Sequence, residues 1–215
     1  MRAMTGAVDV GFVIKICGIT NEEDARIALE AGADALGFNF YKESPRYVEP
    51  GRAKEIVEAI AGTYWKIGVF VNPGEDELLA ASEEVSFDVA QLHGNACATP
   101  HDGNLRVWKS IDAAAGLPVR DSRIEAYLLD TPGPQFGGSG RTFPWDLAKD
   151  FPFRAILAGG LDAENVAEAI ATARPWGVDA CSRLEAKPGK KDARRVREFI
   201  RNARAASEQM MEQSR

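Results

Sequence analysis

The sequence predicts a single (β/α)8, or TIM, barrel: one α/β domain whose closed, parallel, eight-stranded sheet is surrounded by helices. Apolar segments of strand length alternate with segments of helical periodicity along the chain, and eight apolar segments can be counted. All eight lie within 215 residues without a break in composition. Eight units in one uninterrupted domain favour closure over an open sheet. A doubly wound sheet would carry an early, strand-linked Gly-x-Gly-x-x-Gly motif, which this sequence lacks.

The first half of the chain shows the alternation clearly. A first strand leads to Thr20 and Glu23, whose spacing is that of a capping box at a helix start. Gly32 is a candidate cap for the end of that helix, and Asn72-Pro73 ends the third strand and opens the next helix. The predicted strands are residues 12–16, 33–40, 65–71 and 87–92, and the predicted helices are residues 21–31, 50–60 and 73–84.

The second half is less regular. Residues 95–104 have little helical signal, which predicts a reduced fourth crossover, and residues 113–122 predict a weak helix despite Pro118. Residues 131–142 contain four glycines and two prolines, a composition that favours a mobile functional loop. The predicted strands are residues 105–109, 126–130, 154–158 and 177–181, and the further helices are residues 145–149, 163–173 and 192–207. Residues 1–10 and 208–215 are expected to be loose extensions.

Composition excludes several classes of function. The net charge of −6 argues against a broad nucleic-acid-binding surface. Three cysteines without a Cys-x-x-Cys spacing, and only two histidines, argue against a dedicated metal site. No apolar run reaches membrane-spanning length. We therefore expect a reduced, cytoplasmic protein that does not bind membranes.

Residues capable of chemistry follow the predicted strands, at the end of the barrel where active sites of this fold lie. They are Cys17, Arg46, Asn72, His93, Asp130, Gly159, Gly160 and Ser182. Cys17 lies between a strand end and a helix N-terminus, a position that favours a thiolate, although a buried packing role is the alternative. Asp130 ends an apolar strand, where partial burial would raise the pKa of its carboxyl group and suit it to act as an acid. Capping of the following turn is the alternative for Asp130.

The strand periodicity also predicts a buried ion pair. Lys15 and Cys17 share one face of the first strand, and Asp179 and Cys181 share one face of the eighth. Since these strands are neighbours in a closed barrel, we predict that Lys15 pairs with Asp179 inside it. Cys181 is interpreted as a packing residue.

Three further groups are candidates for ligand binding. Gly159-Gly160 after the seventh strand and Ser182-Arg183 after the eighth have the layout of a barrel phosphate site. Arg46, in Ser44-Pro45-Arg46, offers a guanidinium suited to a carboxylate, with an ordinary surface arginine as the alternative. His93 is interpreted either as a ligand contact or as a buried structural histidine.

An ordered set of motifs carries a resemblance to a known family. These are Lys15-x-Cys17-Gly18, Gly37-Phe38 with Ser44-Pro45-Arg46, Gly68-Val69-Phe70-Val71-Asn72, Gln91-Leu92-His93-Gly94, Leu129-Asp130-Thr131 with Gly137-Gly138-Ser139-Gly140, Leu157-Ala158-Gly159-Gly160-Leu161 and Gly177-Val178-Asp179. Together they resemble the phosphoribosylanthranilate isomerases of tryptophan biosynthesis, from about residue 12 to about residue 200.

The resemblance implies a cofactor-free Amadori rearrangement of N-(5-phosphoribosyl)anthranilate to 1-(2-carboxyphenylamino)-1-deoxyribulose 5-phosphate. It implies that Cys17 is the general base, Asp130 the general acid and Arg46 the residue that holds the anthranilate carboxylate. The expected substrate-binding residues are Arg46, His93, Gly137, Gly138, Gly159, Gly160, Ser182 and Arg183, the last four around the phosphate. The glycine-rich loop after Asp130 is expected to close over a small phosphosugar substrate. The protein is expected to be a monomer or homodimer.

The sequence departs from the family pattern at one notable point. Cys181-Ser182-Arg183 stands where the family usually has Ser-Ser-Gly, so Arg183 either crowds the phosphate turn or adds a charge to it. Cys17 and Asp130 distinguish this function from two alternatives. A related histidine-pathway isomerase would be expected to have a carboxylate in place of Cys17, and a catalytically silent metabolite-binding barrel would not need Cys17 and Asp130.

Overall fold

A computed structural model describes residues 11–94, 105–131 and 142–213 and has the predicted barrel architecture. Eight parallel strands form a closed sheet in sequence order, with β8 paired to β1, which confirms the (β/α)8 barrel. The strands are β1 Val13–Cys17, β2 Ala35–Asn39, β3 Trp65–Val71, β4 Val89–His93, β5 Arg106–Asp112, β6 Ile124–Asp130, β7 Ala155–Leu157 and β8 Gly177–Ala180. The barrel brings the carboxyl ends of all eight strands to one rim.

Five α-helices lie in the described residues: α1 Glu22–Glu30, α2 Pro50–Ala59, α3 Glu75–Val85, α4 Val166–Ala173 and α5 Ala193–Glu212. The last runs past its predicted end at residue 207, into residues expected to be loose. The predicted capping box is wrong, because the N-cap of α1 is Asn21, whose side chain accepts from the Asp24 amide. The Thr20 hydroxyl instead donates to the Gly189 carbonyl oxygen at 2.6 Å.

The connection from β5 to β6 corrects a second prediction. Residues 113–122 are described and form turns and irregular chain rather than a helix. Gly116 has a φ of +86°, and Pro118 cannot donate to a helical hydrogen bond. Leu117 and Val119 are exposed, so this segment does not bury an apolar face that could stabilise a helix of such weak propensity. The predicted crossover at residues 95–104 lies outside the described residues.

A hairpin of two short strands, β9 Glu185–Lys187 and β10 Lys190–Lys191, follows β8. A short 3-10 helix, Ser182–Leu184, connects it to the barrel, and another, Trp145–Ala148, precedes β7. The Thr20–Gly189 hydrogen bond ties the hairpin to the loop after β1. The hairpin therefore lies at the rim where the strands end.

Inward-facing side chains fill the barrel in layers, as alternation along the strands requires. Trp65, Trp108 and Trp176 form a mutually contacting cluster, with ring centroids 5.5–5.8 Å apart. Further along the strands the register pairs Lys15 with Asp179, and Lys15 Nζ lies 2.9 Å from Asp179 Oδ1, which confirms the predicted ion pair. Cys17 is two residues beyond Lys15 on the same face. In the described part of the chain, no helix is long and apolar enough to span a membrane.

Candidate active site

One cavity of about 330 Å³ opens at the carboxyl ends of the strands. Eight of the ten predicted site residues line it: Cys17, Arg46, His93, Asp130, Gly159, Gly160, Ser182 and Arg183. The other two, Gly137 and Gly138, lie outside the described residues. Cys181, interpreted from sequence as a packing residue, also lines the cavity.

Asp130 extends from the end of β6 into this cavity. Its Oδ1 accepts a hydrogen bond from the Thr131 amide at 2.7 Å, so it also makes the turn contact that was the alternative interpretation. Burial raises the pKa of Asp130 to about 6, against the opposing effect of that hydrogen bond, which confirms the predicted direction. A Cβ on Gly159 would lie 2.6 Å from Asp130 Oδ1, so only glycine fits beside this carboxyl group. Near neutral pH a larger fraction of this carboxyl group is therefore protonated than of an ordinary aspartate.

Cys17 occupies the end of β1, buried to all but 8% of its surface. Its thiol faces Cys181, and the interaction with Cys181, followed by burial, raises the pKa of Cys17 well above its ordinary value. Lys15 opposes this effect. The expectation that the strand end favours a thiolate on Cys17 is therefore wrong, because the neighbouring sulfur and burial together outweigh Lys15. The same interaction lowers the pKa of Cys181 to about 6.

Arg46 reaches the rim from the loop after β2, but its guanidinium is already engaged. Its Nε donates to Glu185 Oε1 at 2.9 Å and its Nη2 to Glu185 Oε2 at 2.8 Å. A guanidinium has five N–H donors, so the remaining ones are available to a ligand. Gly18 allows this placement, because a Cβ there would lie 2.8 Å from Arg46 Cδ. The bidentate contact with Glu185 fixes the orientation of the guanidinium, so Arg46 is not an ordinary surface residue.

Sequence reasoning missed Glu185 and Lys191. Both are buried in the hairpin after β8, and Lys191 Nζ lies 3.1 Å from Glu185 Oε1. Pro188-Gly189 between them signals a turn, from which the hairpin could have been predicted. No local pattern indicates that the hairpin folds back onto the rim, because that contact depends on the Thr20–Gly189 hydrogen bond.

His93 lies at the end of β4, buried, with its Nε2 2.8 Å from Gln91 Nε2. Burial, with Lys15 and Lys109 nearby, lowers the pKa of His93 to about 3. The imidazole is therefore neutral at physiological pH. It lines the cavity as a polar contact and carries no charge to a ligand.

The two segments predicted to bind phosphate lie on the wall formed after β7 and β8. Gly159 and Gly160 have positive φ values of 79° and 63°, which glycine adopts without strain. Arg183 Nη2 lies 2.8 Å from Asp162 Oδ2, and the arginine side chain is half exposed. The ion pair directs the Arg183 side chain to the loop after β7, so its guanidinium is held beside the Gly159-Gly160 turn. Among the described residues, no group of three or more His, Cys, Asp or Glu side chains forms a metal site.

Comparisons with known proteins show which family the chain is similar to. Residues 14–202 match the family described as N-(5'phosphoribosyl)anthranilate (PRA) isomerase. The chain is 44% identical over 198 residues to N-(5'-phosphoribosyl)anthranilate isomerase of Solibacter usitatus, covering 90% of this chain and 98% of that protein. It is 42% identical over 201 residues to the Trichlorobacter lovleyi protein of the same name, with the same shares covered.

Solved structures of this family are also similar. The phosphoribosyl anthranilate isomerase of Thermotoga maritima superposes with a TM-score of 0.77 at 38% identity, covering 90% of this chain and 99% of that one. A phosphoribosyl anthranilate isomerase in complex with reduced 1-(o-carboxyphenylamino)-1-deoxyribulose 5-phosphate gives a TM-score of 0.74 at 35% identity, with the same coverage. The chain therefore belongs to the N-(5'-phosphoribosyl)anthranilate isomerase family, and it is an isomerase of tryptophan biosynthesis.

Proposed function

We propose that the protein converts N-(5-phosphoribosyl)anthranilate to 1-(2-carboxyphenylamino)-1-deoxyribulose 5-phosphate, with Asp130 as general acid and Cys17 as general base. The observation that carries this proposal is the placement of these two groups on different walls of one cavity, at the ends of β6 and β1. An acid and a base that act in turn on one sugar must face it from different sides.

The reaction begins with protonation. Asp130 donates a proton to the ribose ring oxygen, the ring opens, and a protonated Schiff base forms between the sugar and the anthranilate nitrogen. A carboxyl group whose pKa is raised to about 6 by burial is a better proton donor near neutral pH than an ordinary aspartate. Gly159 leaves room for the substrate close to this group.

Proton abstraction completes the rearrangement. The Cys17 thiolate removes the proton from the ribose carbon next to the imine, which gives an enolamine that tautomerises to the ketone. Cys17 acts on a proton and forms no bond to carbon. Lys15, buried and paired with Asp179 behind it, lowers the pKa of Cys17 and so offsets part of the effect of Cys181 and burial.

The remaining cavity residues match the other two parts of the substrate. Arg46, fixed by Glu185, would bind the anthranilate carboxylate through its free donors. Gly159, Gly160 and Ser182 would surround the phosphate, with Arg183 at its edge adding positive charge. Gly137 and Gly138 remain predicted substrate contacts, since they lie outside the described residues.

Growth of a strain lacking this isomerase tests the proposal. The chain should restore growth without tryptophan, whereas Cys17→Ser and Asp130→Asn should not. Asp112→Asn is a matched control, because Asp112 is the register partner of Asp130 at the end of β5 and does not line the cavity. Rescue by both site variants, with each protein folded, would contradict the assignment of base and acid.

A further inference from the structure

Cys181 lies beside Cys17 at the barrel rim. Lys15 faces Asp179 across the β1–β8 pair, so the residues two further along, Cys17 and Cys181, face each other on the same side. Both thiols are free and line the cavity. Gly18 packs against both Cys181 and Arg46: a Cβ at residue 18 would lie 2.9 Å from the Cys181 sulfur and 2.8 Å from Arg46 Cδ. Two thiols therefore share one end of the cavity, where the proposed mechanism uses only one.

The charges beside the Cys181 sulfur do not balance without a thiolate. Three cations act on the two sulfurs: Lys15, Arg46 and Lys191. Three carboxylates accompany these cations: Asp179 is bound to Lys15, Asp130 also interacts with Lys15, and Glu185 is bound to both Arg46 and Lys191. Lys15 and Lys191 are fully buried at their side chains, where an uncompensated charge is costly. Arg46 and Lys191 share one carboxylate, Glu185, so one negative charge on the thiol pair balances the cations at their end of the site.

The position of that charge follows from the same contacts. Lys15, the cation beside Cys17, is matched by Asp179. Cys181 has two cations near it, Lys191 with its Nζ 3.7 Å from the sulfur and Arg46, against the single carboxylate of Glu185. The negative charge is thus better stabilised on Cys181. The lowered pKa of Cys181 and the raised pKa of Cys17 agree with this placement.

We propose that Cys181 is a positioning residue for the Cys17 base, and that the two thiols share one negative charge, which rests on Cys181 in the free protein and moves to Cys17 when substrate binds. This inference rests on the proposed function. The substrate carboxylate and the Cys181 thiolate compete for Arg46, so binding of the carboxylate weakens the stabilisation of charge on Cys181. A proton then passes from Cys17 Sγ to Cys181 Sγ.

The subsequent step balances in protons and electrons. The Cys17 thiolate takes the proton from the ribose carbon, the C–H electron pair forms the C=C bond of the enolamine, and the C=N electron pair moves to nitrogen. Both cysteines are then thiols. One proton then passes from the pair to the enolamine carbon that carries nitrogen while the enol O–H proton leaves to water, which gives the ketone and restores the shared negative charge. Substrate binding therefore generates the base, which is a thiol in the free protein.

The first experiment locates the thiolate without using activity. Ultraviolet absorbance of the thiolate is followed against pH in free protein that carries Cys97→Ser, so that only two thiols titrate. We expect one thiolate to form near pH 6 in this parent and in Cys17→Ser, whose hydroxyl can still donate to Cys181. Cys181→Ser should show no thiolate until near or above the ordinary pKa of 9.0. Retention of the low-pH thiolate in Cys181→Ser, or its loss in Cys17→Ser alone, would overturn the proposal.

A second measurement needs no variant and so does not depend on the folding of one. The unaltered protein is treated with iodoacetamide at a pH between about 6 and 9.0, and the labelled peptides are identified by mass spectrometry. Cys181 should be alkylated before Cys17, and the reverse order would contradict the charge placement.

The pH dependence of kcat/KM separates a positioning role from a structural one. Because the shared charge no longer forms on residue 181, Cys181→Ser should move the acid limb to higher pH by about one unit or more. A structural role predicts a rate lowered equally at all pH values with the limb unmoved, which would overturn the inference. If the unaltered protein lacks isomerase activity while the titration gives the expected result, the proposed function fails and the thiol assignment stands.

Discussion

Asp130→Asn should stabilise the protein at neutral pH while it abolishes the proposed acid function. The folded-state pKa of Asp130 is raised from 3.8 to about 6, because its carboxylate is buried in the cavity wall. At about 1.4 kcal/mol for each unit of pKa, charging this group in the folded protein costs up to about 3 kcal/mol relative to the unfolded chain. Asparagine keeps an oxygen that can accept from the Thr131 amide and carries no charge.

The two pKa values of Asp130, unfolded and folded, set the pH range over which the stability difference appears. Below pH 3.8 the carboxyl group is protonated in both states, so Asp130→Asn should change the free energy of unfolding little there. Between pH 3.8 and about 6 the unfolded chain releases a proton that the folded protein keeps, and the parent loses stability relative to the variant. Above about pH 6 the gain of the variant should be constant, at about 1–3 kcal/mol.

Urea unfolding of both proteins, followed by circular dichroism between pH 4 and 8, measures this gain. At a slope of about 2 kcal/mol per M, the variant midpoint should rise by about 0.5–1.5 M at neutral pH. Asp112→Asn, at the register partner of Asp130 but outside the cavity, is the control: asparagine there also keeps an oxygen for the Ala114 amide, and no such gain is expected. A variant at residue 130 that is less stable than the parent at neutral pH would refute the reasoning.

Three further outcomes follow from the same contacts. Asp179→Asn leaves Lys15 buried without its carboxylate, so it should lower the free energy of unfolding, measured in urea, by about 3–5 kcal/mol. The double variant Lys15→Met/Asp179→Asn should recover most of this loss. A cost below about 1 kcal/mol for the single variant would contradict the buried pair. Gly18→Ala should lower the free energy of unfolding by about 1–3 kcal/mol and raise KM, because the φ of residue 18 is +73° and the new Cβ would lie 2.8 Å from Arg46 Cδ. Gly74→Ala is its control, since a Cβ there meets nothing within 4 Å. Equal effects of the two substitutions would contradict the packing argument. Arg46→Lys removes the bidentate contact to Glu185 and should raise KM by about tenfold or more in steady-state assays, and an unchanged KM would exclude Arg46 from carboxylate binding.

The barrel and much of its interior could be predicted from the sequence, because both depend on local periodicity. Alternation along β1 and β8 and closure of the sheet were sufficient to place Lys15 against Asp179. Positions after strand ends, such as Cys17 and Asp130, converge on one rim in any parallel barrel. The burial that raises the pKa of Asp130 followed from its place at the end of an apolar strand.

The remaining features depend on contacts between segments far apart in the chain. Thr20 has the spacing of a capping residue, yet it binds Gly189 in the hairpin, and Asn21 caps the helix instead. Arg46 was predicted to offer its guanidinium to a carboxylate, and nothing nearby in the sequence indicates that Glu185, far along the chain, takes two of its donors. The raised pKa of Cys17 has the same origin, since its cause is Cys181 on a neighbouring strand.

The most direct test of the proposed acid–base pair is kcat/KM of the purified protein with N-(5-phosphoribosyl)anthranilate, compared with Cys17→Ser and Asp130→Asn. The unaltered protein should form 1-(2-carboxyphenylamino)-1-deoxyribulose 5-phosphate. In each variant kcat/KM should fall at least about 100-fold while the protein remains folded. Activity within a few-fold of the parent in both variants would contradict the assignment of Cys17 as base and Asp130 as acid.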